Sequence, residues 1–400
     1  MRLTRVHGCR ALDGVSRAQT RNCAGSFFSC CIAVALALFA SQAPAHGMRC
    51  VYLPPSPTGT VQIARPNVEW VLYPEDGSAV TGVNMLLNGT RVPASYSAAR
   101  HAVEYLPPRA LAPGQYTVYC RLTIDGAYPM KKGWSFTVPP HAVELSAPDS
   151  NQRSLLDIVN AYRRIMGLHP MNISSPLCAA AAAHSRYLEI NRLSGHVESP
   201  AEKDFLGVDP WDRAAAYGYA GFGCEDVAEG EATPAAAVRS LMNAPYHRAA
   251  FMEPGTPDFG ASLDGDRATF DFGRSDTTAV VVYPTNGQRN IPTAWQDDES
   301  PDPLALHHVS GVVGYPITLF SFSSSQNDPV ASAQASLTDA AGDAIPFYLN
   351  TPADDTELTN GIFLIPTHPL SPHTTYVVSV RGATASGRDI SRRWSFTTGG

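Results

Sequence analysis

Between residues 50 and 140, apolar and polar residues alternate in short runs broken by Gly, Pro and Asn, the period of half-buried strands. Val68-Glu-Trp-Val-Leu-Tyr73 and Tyr116-Thr-Val-Tyr-Cys120 read as strands, and Asn88-Gly89 marks a tight hairpin turn. Residues 305–400 repeat the pattern. Leu111-Ala-Pro113 precedes Tyr116, and Trp134-Ser-Phe136 begins 18 residues after that tyrosine. Leu370-Ser-Pro372 precedes Tyr376, and Trp394-Ser-Phe396 again begins 18 residues on. A polar hairpin between paired strands produces this echo, so two similar β-sandwiches are predicted.

Between them the period changes to helical. Leu155, Ile158, Val159, Tyr162 and Met166 share one face, with Ser150 or Ser154 as cap and Gly167 and Pro170 as stop signals. A second helix is expected from about Pro176 to Leu193, with Leu177, Ala181, His184 and Leu188 turned inward. A third starts at Thr233-Pro234, where threonine caps and proline suits the first turn. Phe259–Leu263 and Ala268–Phe272 form a hairpin around Asp264-Gly265, and Ala279–Tyr283 adds a strand. Pro139 to Ser150 and Pro284 to about Ser310 read as linkers, the second stiffened by proline.

The N-terminus carries five arginines ahead of and within a leader whose apolar run, Phe27 to Ala40, is too short to span a bilayer. Ala43-Pro44-Ala45 offers the small residues of a cleavage site, so residues 1–45 are expected to be a signal peptide. The formal charge of −7 becomes −11 once that leader, with its five Arg and one Asp, is removed. An acidic chain has no electrostatic reason to seek nucleic acid or anionic lipid. Cys50, Cys120, Cys178 and Cys224 remain, an even number in a chain bound for an oxidising compartment. Three pairings are open, and the domain division favours Cys50–Cys120 with Cys178–Cys224.

Four short stretches carry the candidate chemistry: Asn160-Ala-Tyr-Arg163 with Gly167, Ser194-Gly-His196, Gly223-Cys-Glu225-Asp226 and Asn243-Ala-Pro-Tyr-His247-Arg248. In this order they resemble the CAP superfamily of cysteine-rich secretory, antigen 5 and pathogenesis-related proteins, in its bacterial SCP-like branch. The flanking domains resemble the immunoglobulin-like modules of bacterial surface proteins. The resulting fold class is α+β, a central α–β–α sandwich between two all-β immunoglobulin-like sandwiches. The expected division is 1–45 signal peptide, 46–142 first sandwich, 148–285 central domain, 286–309 linker and 310–400 second sandwich.

The resemblance implies a cavity lined by two histidines and two glutamates that holds a divalent cation. It places His196, Glu225 and His247 in that cavity. The second glutamate should lie just before His247, where Leu241-Met-Asn-Ala244 has no acid. His196, Glu225 and His247 would suffice for a three-ligand zinc site completed by water. His184 is a further cavity candidate, although an inward-facing histidine with satisfied hydrogen bonds is the plainer reading. Asp226 sets a second carboxylate beside Glu225, which would favour cation capture or raise one pKa. A Cys178–Cys224 bridge would tie the His184 helix to the Glu225 loop, closing ~46 residues for on the order of 3–4 kcal/mol.

No Gly-x-Ser-x-Gly elbow, His-Glu-x-x-His helix, phosphate loop or dinucleotide fingerprint is present in the sequence. The leading expectation is a non-enzymatic extracellular or surface-displayed binding protein. Its expected ligands are a divalent cation such as zinc, a lipid or sterol, a cell-wall component or an extracellular protein. The alternatives are a metal-dependent hydrolase with Glu225 as base, and a structural surface protein whose cavity is vestigial.

Overall fold

The computed structural model describes residues 3–5 and 50–400 apart from 75–77, 99, 256, 276 and 325–327, with backbone alone at 3–5, 50 and 51. The expected signal peptide lies outside the described residues except for a short strand, β1 (Leu3–Arg5).

The first sandwich has two sheets, as the alternation predicts. One contains β2 (Cys50–Tyr52), β4 (Val68–Pro74), β8 (Ala102–Tyr105) and β7 (Ser95–Ser97) in that order. The other runs β3 (Gly59–Thr60), β10 (Tyr128–Val138), β9 (Gly114–Ile124), β5 (Val80–Leu87) and β6 (Thr90–Val92). Val68, Trp70 and Leu72 of β4 face Val118, Cys120, Leu122 and Phe136 across the core.

The central domain is a three-layer sandwich. Helix α1 (Ser150–Ile165) starts at Asp149, whose carboxylate caps the Gln152 amide while Gln152 reaches back, so the cap is this aspartate rather than Ser150 or Ser154. It is followed by β11 (Asn172–Ile173), α2 (Ser175–Asn191), α3 (Pro210–Ala216) and β12 (Phe222–Glu229). Then come α4 (Pro234–Asn243), capped by Thr233 as expected, and α5 (Arg248–Met252). The predicted hairpin is β13 (Asp258–Asp264) and β14 (Arg267–Gly273). These strands lie in the order β11-β13-β14-β12, and β1 pairs with the outer edge of β12. Helices α1, α4 and α5 cover one face, where Leu155, Val238 and Phe251 pack with Phe270 and Phe272. Helix α2 covers the other, where Tyr187 and Leu188 meet Val227 of β12. It sits so close that a side chain at Gly260 of β13 would collide with the backbone of Leu177 and Cys178.

The boundary with the third domain differs from expectation. Strand β15 (Ala279–Tyr283) leaves the central sheet and pairs with β20 (Ile317–Phe322). Residues 286–309, expected as a linker, contain β16 (Gln288–Ile291), β17 (Ala294–Gln296), β18 (Glu299–Ser300) and a 3-10 turn at Ala305–His307. Strand β17 pairs with β19 (Val312–Gly314). Pro292 and Pro301 directly follow strands β16 and β18, where a missing N–H costs no ladder bond, and Pro303 lies in the turn before the 3-10 segment.

The second sandwich sets β15-β20-β23-β22 against β16-β25-β24-β21, with β21 at Val330–Asp339, β22 at Phe347–Asn350, β23 at Gly361–Pro366, β24 at Thr375–Thr384 and β25 at Arg392–Thr398. The internal echo is structural. Tyr116 lies opposite Phe136 on β9 and β10, and Tyr376 opposite Phe396 on β24 and β25. The ring centroids are 5.3 and 5.7 Å apart. Each tyrosine hydroxyl bonds a backbone group a few residues upstream, Ala112 O and Ser371 N, at 2.8 Å in both copies.

One apolar core runs from the central domain into the second sandwich, through Tyr246, Tyr283, Tyr315 and Phe363. Arg248 pins the junction. It is buried, lies 5.0 and 5.1 Å from the Tyr283 and Tyr315 rings, and donates to Pro316 O and Asn243 O. Arg163 of the first motif is also buried and donates to the carbonyls of His169, Phe251, Glu253 and Gly255.

The expected Cys178–Cys224 bridge is absent, and both residues are buried thiols. Strand alternation explains it. Val227 of β12 faces α2, so Glu225 shares that face while Cys224 and Ala228 point to the α1 and α4 side. Cys178 lies on α2 over β13, with β14 between it and β12. The side chain of Cys50, the expected partner of Cys120, lies outside the described ones. Peptide mapping under non-reducing conditions should recover the Cys178 and Cys224 peptides separately, and a peptide joining them would contradict this topology.

Candidate functional site

The site is built where the α2 C-terminus, the following loop, α3 and β12 converge. Helix α2 ends with Arg192 in the left-handed conformation, which turns the chain into the loop carrying His196 and Glu198. Helix α3, opened by Pro210, returns Arg213 toward the sheet, and β12 presents Glu225.

Glu225 is the acceptor at the centre. Arg213 Nη2 donates to both of its oxygens, at 3.0 and 2.7 Å, and His196 Nδ1 donates to Oε1 at 2.9 Å. Glu198 is the second acceptor. Its Oε1 takes His184 Nδ1 at 2.9 Å, and its Oε2 takes the amides of Leu206 and Gly207 at 2.8 and 3.4 Å. Arg213 Nε lies 3.6 Å from Glu198, so one guanidinium spans both carboxylates. Across the β12–β14 ladder, Asp271 stands opposite Glu225. All of these side chains are buried.

Both nitrogens of His184 are engaged, Nδ1 2.9 Å from Glu198 Oε1 and Nε2 3.0 Å from Gly195 O. Arg213 and His184 together face Glu225 and Glu198. Burial acts to raise the Glu225 carboxyl, but Arg213, His184 and His196 outweigh it and hold the group well below the usual range. Asp271 goes the other way, because burial and then the Glu225 carboxylate push it far up. Burial also lowers His196, against the opposing pull of Glu225. His196 is thus a neutral ring with its proton on Nδ1, and its Nε2 is buried with no hydrogen-bond partner among the described residues.

His247 forms a parallel arrangement. Its Nδ1 donates to Glu299 Oε1 at 2.6 Å, and the amides of Tyr246 and His247 donate to the same oxygen at 2.8 and 3.0 Å. Glu299 comes from β18, in the stretch expected to be a linker. Tyr246 OH in turn donates to Asp355 of the second sandwich at 2.5 Å, where Asn350 also bonds at 2.8 Å. His247 lies near enough to act electrostatically on His196.

The expected residues therefore separate. His196 and Glu225 are in direct contact, and His247 is a near neighbour held by a different glutamate. His184 has both nitrogens engaged, by Glu198 and by Gly195 O. Asp226 does not join Glu225, because the next residue on an extended strand faces the opposite side of the sheet. Among the described residues, no group of three or more His, Cys, Asp or Glu is arranged to hold a metal ion. Sequence reasoning missed Arg213, Glu198, Asp271 and Glu299. The signal for Arg213 was a lone cation beside the alanines of Trp211-Asp-Arg213-Ala-Ala-Ala216.

Residues 156–283 match the family model of the cysteine-rich secretory protein family, CAP, and the central domain is a CAP domain. No curated protein matches the chain. An extracellular SCP-domain protein from Bacillus anthracis str. Ames is 15% identical with a TM-score of 0.27, over 52% of this chain and 64% of that one. CopC from Methylosinus trichosporium OB3b is 13% identical with a TM-score of 0.21, over 31% of this chain and 94% of that one. SGBP-B from the Bacteroides ovatus mixed-linkage glucan utilization locus, in complex with a heptasaccharide, is 12% identical with a TM-score of 0.18, over 88% and 71%.

Replacing Arg213 with Met leaves two buried carboxylates without their cation and should cost about 3–5 kcal/mol in urea unfolding. Because Glu225 is depressed in the folded state, its contribution is present above the unfolded carboxylate value and lost as pH falls below it. The stability of R213M should therefore fall less steeply on acidification than that of the parent. Equal stability, or an unchanged acid limb, would contradict the network.

Proposed function

We propose that this chain is an exported, non-enzymatic binding protein whose CAP domain takes a divalent transition cation at His196. The observation that carries the reading is the buried Nε2 of His196, an acceptor without a hydrogen-bond partner among the described residues, on a ring whose Nδ1 is fixed by Glu225. Carboxylates that hold the far nitrogen of an imidazole orient it for coordination and raise its basicity. Glu225 and Glu299 fit that outer role, and the imidazoles of His196 and His247 are the donors. Nitrogen donors of this kind suit zinc, with water completing the shell.

This departs from a three-ligand set that includes Glu225, whose two oxygens already accept from Arg213 and His196. It also disfavours the hydrolase reading, since a carboxylate held so far below its ordinary pKa is a poor base at neutral pH. Export rests on the leader of residues 1–45. Among the described residues no helix is long and apolar enough to cross a membrane. The two sandwiches then present the CAP domain to cell-wall or protein partners.

Calorimetric titration of the purified chain with zinc should show one-to-one binding. His196→Ala and His247→Ala should each abolish it or weaken it at least about tenfold, and Glu299→Gln should weaken it about 10–100-fold. Folded parent that binds no zinc, or variants that bind as tightly as the parent, would contradict the reading.

A further inference from the structure

A second polar cavity lies away from this site, between the first sandwich and the CAP domain. It measures about 630 Å³, on the scale of small-molecule sites. Glu69, Arg100 and Glu104 line it from the sandwich, and Ser174, Tyr219 and Asp258 from the CAP domain. Its lining holds one guanidinium and three carboxylates. Arg100 lies 3.3 Å from Glu69, 3.4 Å from Glu104 and 3.9 Å from Asp258, so a single cation serves all three. Glu69 is 1% exposed and also accepts from Asn67 at 3.0 Å and from the Ala220 amide at 3.1 Å. Asp258 accepts from Tyr219 OH at 3.2 Å. The side chains of Glu104 and Asp258 remain 30% and 26% exposed, open to a ligand entering from solvent.

We propose that this interdomain cleft binds a small organic cation, an alkylamine or guanidine, between Glu104 and Asp258. The cavity has more carboxylates than cations, three against the single Arg100. Burial, with Glu104 and Asp258 adding to it and Arg100 opposing, raises Glu69 to about 7, so at neutral pH a proton partly fills the deficit. A second cation in the cleft performs that task better and displaces the proton. An anion is disfavoured because the Arg100 fork already faces three carboxylates, and Ser174 caps the Leu177 amide at the α2 N-terminus. A neutral polyol would leave the excess carboxylate uncompensated. Because the walls come from two domains, the bound cation also strengthens their docking.

The sign of the pH dependence follows. Glu69 faces Arg100, Glu104, Asp258 and Tyr219, and its carboxyl is raised to about 7. A cation prefers Glu69 ionised, so binding tightens as pH rises through about 7 and releases a proton there.

The test is calorimetry on the full chain with 1,4-diaminobutane and with its neutral counterpart 1,4-butanediol, in two buffers of different ionisation enthalpy. The diamine should bind, more tightly at pH 8 than at pH 6, with proton release near neutrality, and the diol should not. Glu104→Gln and Asp258→Asn, whose side chains are partly exposed, should each weaken the diamine about tenfold while melting normally. His196→Ala should leave this binding unchanged, which separates it from the cation site. No heat with the diamine at millimolar concentration, equal binding of the diol, or full affinity in both carboxylate variants would overturn the proposal.

Discussion

The buried contact between Arg213 and Glu225 is the constraint on which the CAP site depends. A carboxylate at that depth is too costly unless a cation shares its environment, and an isolated guanidinium is equally costly. Each residue makes the other tolerable. Together they fix the separation of α3 from β12 and the place of Glu198, which Arg213 also approaches. Once Glu225 is ionised, its charge adds to burial in pushing the Asp271 carboxyl opposite it upward, and His196 directs Nδ1–H toward it. The reactive character of the site, a buried imidazole nitrogen acting as acceptor, is thus a product of charge compensation two residues away.

The same economy appears at the domain junctions. Glu299 belongs to the stretch that leads into the second sandwich, yet it gathers two backbone amides and a ring nitrogen at the start of α5. Arg248, one residue after His247, lies against Tyr283 and Tyr315 of that sandwich. The position of His247 is therefore set by groups on both sides of the CAP boundary. Flanking modules in this chain are part of how the central domain holds its histidines, and the cleft at Glu69 shows a comparable polar seam on the other side.

Much of this was legible in the sequence. Strand alternation gave both sandwiches, the Tyr116 and Tyr376 echo gave their similarity, and helical spacing gave α1, α2 and α4. His196 and Glu225 were identified and do touch. What failed has physical reasons. Adjacent strand residues face opposite sides, so Asp226 left the site and Cys224 turned away from Cys178. Short strands broken by proline read as a spacer, which hid β16 to β18 and with them Glu299. Buried compensating charge is a three-dimensional property, and nothing in the local text around Arg213 or Glu198 states that their partners lie on another element.

The most direct test of this account is the protonation state of His196, read from long-range proton–nitrogen correlation spectra across pH. The account predicts a neutral ring protonated on Nδ1 at neutral pH, with a titration below the ordinary histidine value of about 6.5. A ring carrying its proton on Nε2, or one titrating at or above that value, would contradict the arrangement of Glu225, Arg213 and His196 from which the functional reading is drawn.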